Sequence, residues 1–204
     1  MKNKQDQTKL VLASASPARA MLLRQSGISF IQFHTDVDER KIESQMRDEG
    51  LESAEISQAL AEAKALHASQ KFSQSCVIGA DQVLECEGSS FSKPPDMDSA
   101  RNQLRRLAGK THHLVSSAAV VREGKILWSC CDQASLTMRP LSEEFIDHYM
   151  GQAGDSILNS VGCYRLEELG AQLFSSIEGN YFTILGLPLL PLLAFLREEK
   201  ILME

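Results

Sequence analysis

The chain has 204 residues, 43% of them apolar and 24% charged, the balance of a globular protein of one large or two small domains. Lysine and arginine number 21 against 27 aspartates and glutamates. The resulting charge of −6 argues against broad binding to nucleic acid or an anionic membrane, while leaving room for a local basic pocket. The five cysteines have irregular spacing and no C-x-x-C pair, which reads as reduced thiols in a cytosolic protein.

No secretory signal is expected in the polar opening MKNKQDQTK, and residues 1–8 read as a frayed terminus. Residues 10–13 (LVLA) read as a buried strand, followed by a serine turn and a helix. Ser16 is placed to cap that helix, Pro17 suits its first position and Gly27 its end. Arg19 then falls in the first turn, where a cation opposes the helix dipole by about 0.3–1 kcal/mol. Two hydroxyls (Ser14, Ser16), free backbone N–H groups and a guanidinium at one helix end make a natural phosphate cradle.

Residues 28–37 read as extended and lead into an acidic patch of Asp36, Asp38 and Glu39. Residues 53–68 read as a helix with Ile56, Leu60, Ala63 and His67 on one stripe. Lys64 lies one position off that stripe, and position alone favours a snorkelling surface lysine. Residues 76–84 read as a strand buried on both faces, interrupted by Gly79 and Ala80, which imply a close backbone approach, and by Asp81. A buried carboxylate without partners costs several kcal/mol, so Asp81 should be paired, hydrogen-bonded or metal-bound; a hairpin-turn aspartate is the bland alternative.

Ser92-Lys93-Pro94-Pro95 is a rigid connector that presents Lys93. A helix follows, capped by Asp96 or Asp98 and ended by Gly109. Residues 114–121 and 126–138 read as a hairpin about Arg-Glu-Gly-Lys. A short helix over 141–150 has Ser142 as its cap; residues 162–166 and 172–177 read as extended; 187–197 is the last helix. The longest apolar run, 181–196, is too short and too broken by Gly186, Pro188 and Pro191 to span a membrane. Alternating strands and helices with a central hairpin predict an α/β protein on a mixed sheet.

No P-loop, G-x-G-x-x-G, G-x-S-x-G or H-E-x-x-H pattern occurs. The chemistry-bearing set is dispersed: Ser14, Ser16, Arg19, Glu39, Lys64, Asp81 and Lys93. Cations that bind phosphates, beside carboxylates that hold a divalent metal and activate water, suit phosphoryl chemistry.

The segments LASASPARAMLLRQSGISF, VIGADQVL, SKP, LAGKTHHLVS and GCYRLEELGAQLFSSIEGNYFTILGLPL resemble, in order, the motifs of the Maf-like nucleoside triphosphate pyrophosphatase family. The resemblance runs from about residue 10 to 196. It implies a bent mixed sheet flanked by helices, with two lobes and a central cleft, in a single domain over 1–204. It implies hydrolysis of a nucleoside triphosphate to the monophosphate and pyrophosphate with Mg²⁺ or Mn²⁺, a house-cleaning role linked to cell-division arrest, and, since members are often dimers, a homodimer. Ser14, Ser16 and Arg19 match the phosphate-binding S-x-S-P-x-R motif. Asp81 matches the proton acceptor and metal partner of the G-A-D motif, and Glu39 the second acidic residue. Lys64 matches the lysine of E-x-K-A, which raises its functional reading, and Lys93 that of K-P.

Three departures matter. Ala18 stands where many members carry a first arginine, Gln82 where pyrimidine-directed members carry threonine, and Glu167 where they carry glutamine. All three resemble the subgroup acting on 7-methyl-GTP. A carboxylate at Glu167 would accept the guanine N1–H and amino donors and favour a ring made cationic by methylation. The runner-up is a dTTP/UTP pyrophosphatase. From other classes come a nucleotide-sensing regulator of septum formation that does not hydrolyse, and an interaction protein using the apolar C-terminal run as a dimer face. His112 is expected to be structural and Trp128 to pack rather than stack on a base.

Overall fold

A computed structural model describes residues 10–203, so the expectation for residues 1–8 lies outside the described residues. Seven helices, α1 Pro17–Gln25, α2 Glu39–Asp48, α3 Ser53–Lys71, α4 Met97–Leu107, α5 Glu143–Ala153, α6 Tyr181–Ile184 and α7 Leu189–Glu198, accompany seven strands among these residues. The strands are β1 Leu10–Ala13, β2 Ile31–Gln32, β3 Cys76–Cys86, β4 Ser89–Phe91, β5 Thr111–Arg122, β6 Lys125–Met138 and β7 Phe174–Glu178. They form one sheet in the order β2-β1-β3-β5-β6-β7, with β4 on β3. β1 pairs parallel with both β2 and β3, whereas β4 and β7 pair antiparallel with β3 and β6. The predicted mixed α/β sheet is therefore the observed one. Among the described residues, no helix is long and apolar enough to cross a membrane.

The described chain divides into two compact units, one built from residues 10–82, 116–132 and 186–203, the other from 83–115 and 133–185. In the first unit, β1 is buried along its whole length and pairs Leu10–Ala13 with Cys76–Gly79. Val11, Ala13, Val77 and Val121 meet Ala65 and Ala68 of α3 in one core. Full burial of Ile56 and Leu60 on α3 adds about 1.5–3 kcal/mol each. The caps read from the sequence are present: Ser16 accepts from the Arg19 N–H, with Pro17 at the first helical position. Trp128 stacks on Phe195 at 5.4 Å, the packing role expected of it.

In the second unit, Asp96 caps α4 and Ser142 caps α5. Arg105 bonds both oxygens of Glu143, and Arg101 pairs with Asp147. His112 is fully buried, its Nε2 2.7 Å from the Tyr164 hydroxyl; burial pushes its imidazole down to about 4. That is the structural role expected of it. The five cysteines are all free thiols.

Three expectations need correction. The extended segment over 28–37 is a strand only at Ile31–Gln32. The acidic patch, read as a loop carrying Glu39, runs into a helix: Asp38 accepts from the Lys41 N–H and caps α2, which buries no residue and so offers only a weak apolar signal. Residues 162–166 are not extended throughout: a short 3₁₀ turn covers Val161–Cys163, where Gly162 and Cys163 both take positive φ. The hairpin is confirmed and longer than read. Its two-residue turn, Glu123 and Gly124 at φ 52° and 71°, has the primed geometry that matches strand twist.

Candidate active site

The period of β3 places Gly79 and Asp81 on one face of the strand, and the 3.6 period of α3 places Ala61, Lys64 and Ala65 on one face of the helix. These faces meet. A Cβ on Gly79 would lie 2.1 Å from the Ala61 carbonyl oxygen and 2.8 Å from the Ala65 nitrogen, so only glycine admits the helix this close. The close approach read into Gly79 is thus a helix backbone. It brings the Lys64 Nζ to 2.6 Å from Asp81 Oδ1, with Asp81 within a strand rather than in a hairpin turn. Both residues are about 6% exposed, so Lys64 is not a snorkelling surface residue. Glu39, at the first turn of α2, reaches the same ammonium at 2.8 Å while its side chain stays about half exposed. Two carboxylates thus converge on one buried cation, each neutralising a desolvation cost that neither could bear alone.

The turn after β1 builds the second part. The Arg19 Nε donates to the Gly186 carbonyl at 2.7 Å, and Nη1 donates to the Ser14 hydroxyl at 3.1 Å and the Ala80 carbonyl at 2.8 Å. Every one of these acceptors is neutral. Arg19 is 8% exposed and, among the described residues, has no carboxylate within ion-pair distance. Burial lowers its pKa, partly offset by the fields of Asp81 and Glu39. Among the described residues, none accepts from Nη2. The Ser14 hydroxyl also accepts from the Ser16 N–H at 3.2 Å, so the turn is cross-linked through the serines expected there. Gln82 donates from Nε2 to the buried Ser116 hydroxyl at 3.0 Å.

Ser14, Ser16, Arg19, Glu39, Lys64, Asp81 and Gln82 all belong to the first unit. Lys93 and Glu167 belong to the second. Lys93 is exposed in the connector after β4. Glu167 is largely buried, its Oε1 held 3.2 Å from Nη2 of Arg165, whose Nη1 holds Glu168 at 2.6 Å. Sequence reasoning missed Gly186 and Ser116. The positive φ needed at Gly186, 91°, leaves no mark on hydropathy, and a serine in a buried strand reads as filler.

A buried guanidinium whose Nη2 has no acceptor among the described residues thus stands at Ala80, next along β3 to a buried carboxylate held by lysine. A family model described as Maf-like protein matches residues 9–199. The chain belongs to this family. It is 50% identical over 192 residues to a 7-methyl-GTP pyrophosphatase of Brucella abortus, covering 94% of this chain and 96% of that one. It is 48% identical over 194 residues to a nucleoside triphosphate pyrophosphatase of Granulibacter bethesdensis, covering 95% and 98%. A 7-methyl-GTP pyrophosphatase of Rhizobium etli is 47% identical over 190 residues, covering 93% and 96%.

Proposed function

We propose that the protein is a nucleoside triphosphate pyrophosphatase that prefers a purine substrate of the 7-methyl-GTP type. The observation that carries this reading is Arg19, a buried guanidinium satisfied on Nε and Nη1 by neutral oxygens and unengaged on Nη2. Such a charge is worth burying where an anion completes it. The names of the two relatives from Brucella and Rhizobium support the substrate class.

Water attacks the α-phosphorus, the bond from that phosphorus to the bridging oxygen breaks, and pyrophosphate leaves. Asp81 takes the water proton on Oδ2, since Lys64 holds Oδ1. Arg19 and Lys64 face the charge that grows on the leaving group. Gln82 and Glu167 read the base, and Lys93 adds a phosphate cation; these three roles come from the motifs they match. Asp81 and Glu39 supply the hard oxygens that Mg²⁺ or Mn²⁺ takes. Among the described residues no group of three such side chains is assembled for a metal, so Asp81 and Glu39 would be the protein oxygens that hold the ion. When bound, the ion supplies charge neutralisation at the phosphates.

The test is a panel of 7-methyl-GTP, GTP, dTTP and UTP with pyrophosphate release as readout and EDTA controls. Clear preference for the pyrimidines overturns the base assignment, and binding without release in every case favours a nucleotide sensor.

A further inference from the structure

We propose that Gly186 is a positioning residue for Arg19: its carbonyl fixes the guanidinium, and its lack of a side chain keeps the Nη2 edge open to the ligand. The inference rests on the anion-site reading of Arg19 and deepens it. Three separate segments hold the guanidinium: the turn after β1 through Ser14, strand β3 through Ala80, and the turn before α7 through Gly186. Ser14 and Ala80 both bond Nη1, so among the described residues the Gly186 carbonyl alone anchors Nε. With Nε and Nη1 both fixed, the planar group cannot rotate, and Nη2 has one direction available.

Gly186 is buried at φ 91°, a conformation that L side chains rarely adopt. A Cβ there would lie 3.3 Å from Nε, 3.4 Å from Nη2 and 3.6 Å from Gln82 Oε1. A single methyl would therefore crowd the guanidinium at Nε, touch Nη2 at the edge of ordinary contact, and meet the Gln82 amide at ordinary contact distance. The glycine does two jobs at one point: its oxygen orients the cation, and its missing side chain keeps a carbon from standing 3.3 Å from Nε and 3.4 Å from Nη2. The Gln82 Oε1 lies 3.6 Å from the same point, so Gln82 stands beside the Arg19 guanidinium.

The experiment is a double-mutant cycle on affinity for inorganic pyrophosphate, measured by titration calorimetry. Gly186→Ala is expected to weaken binding at least about tenfold. In the Arg19→Ala background the same change should cost less than about twofold, because the group it acts through is gone. Equal losses in both backgrounds, or an unweakened Gly186→Ala, overturn the inference. Should Gly186→Ala fail to fold, nitrogen-15 spectra of the arginine side chains in the unaltered protein decide. The Arg19 Nε–H, assigned by its loss in Arg19→Lys, should exchange with solvent at least about tenfold more slowly than exposed arginines. Exchange at the exposed rate overturns the inference. Both readouts are independent of turnover: a protein that hydrolyses no triphosphate would end the proposed function, while the spectra would still decide the role of Gly186.

Discussion

Gly79→Ala tests how the site is built, because the substituted residue touches no ligand in any reading. The added Cβ would sit 2.1 Å from the Ala61 carbonyl oxygen, against 3.4 Å or more for ordinary contact. Neither neighbour is a flexible side chain, so α3 must withdraw from β3 by about 1 Å. Lys64 lies one turn along from Ala61 on the withdrawing face, and its 2.6 Å bond to Asp81 would stretch beyond hydrogen-bond range. Overpacking of this kind costs about 1–3 kcal/mol, and a misplacement of about 1 Å at reacting groups costs about 10²-fold in rate. Urea denaturation should therefore show a loss of about 2 kcal/mol or more, and pyrophosphate release a fall of about 10²-fold. A variant that keeps wild-type stability and turns over within threefold of wild type would refute the claim that close helix–strand approach aligns Lys64 with Asp81.

Asp81→Asn should lower turnover by about 10²-fold or more with the far-ultraviolet spectrum retained; near-normal turnover would remove Asp81 as proton acceptor. Glu167→Gln should shift the 7-methyl-GTP to UTP preference towards UTP by about tenfold, since a neutral amide loses the attraction for a cationic ring. An unchanged ratio in competition assays would separate Glu167 from base choice. His112 sets an acid limb. Its imidazole stays neutral in the folded protein down to about pH 4, while the unfolded chain protonates at the ordinary 6.5. The unfolded state then binds more protons across that window, so stability is intact above pH 6.5 and falls as pH drops towards 4. Between pH 7.5 and 4.5 the wild type should lose about 2–3 kcal/mol more than His112→Phe in urea titrations; parallel losses would count against this.

The sequence made legible whatever was written as a local rule. Ser16, Pro17, Asp96 and Ser142 mark helix starts through side-chain caps that any sequence reader can find. The apolar run before Asp81 marks a strand buried on both faces, and Glu123-Gly124 marks a primed turn. The helix carrying Glu39 was illegible because it buries nothing; only the cap at Asp38 and the spacing of Ile42 and Met46 hint at it. The candidate site follows the same division. Arg19 in a first turn was conspicuous because it opposes the dipole. Lys64 is ambiguous in sequence because its burial depends on Gly79, fifteen positions further on in a strand whose packing against the helix no local pattern encodes. Gly186 was silent because its partner lies at the other end of the chain.

The unit that holds Arg19 is assembled from three stretches of chain, the last beginning at Gly186. During synthesis, β1 and α1 leave the ribosome long before the carbonyl that anchors the guanidinium has been made. The guanidinium is thus aimed only once residue 186 has been made, and a nascent chain stalled short of it would carry the cation without the oxygen that holds its Nε.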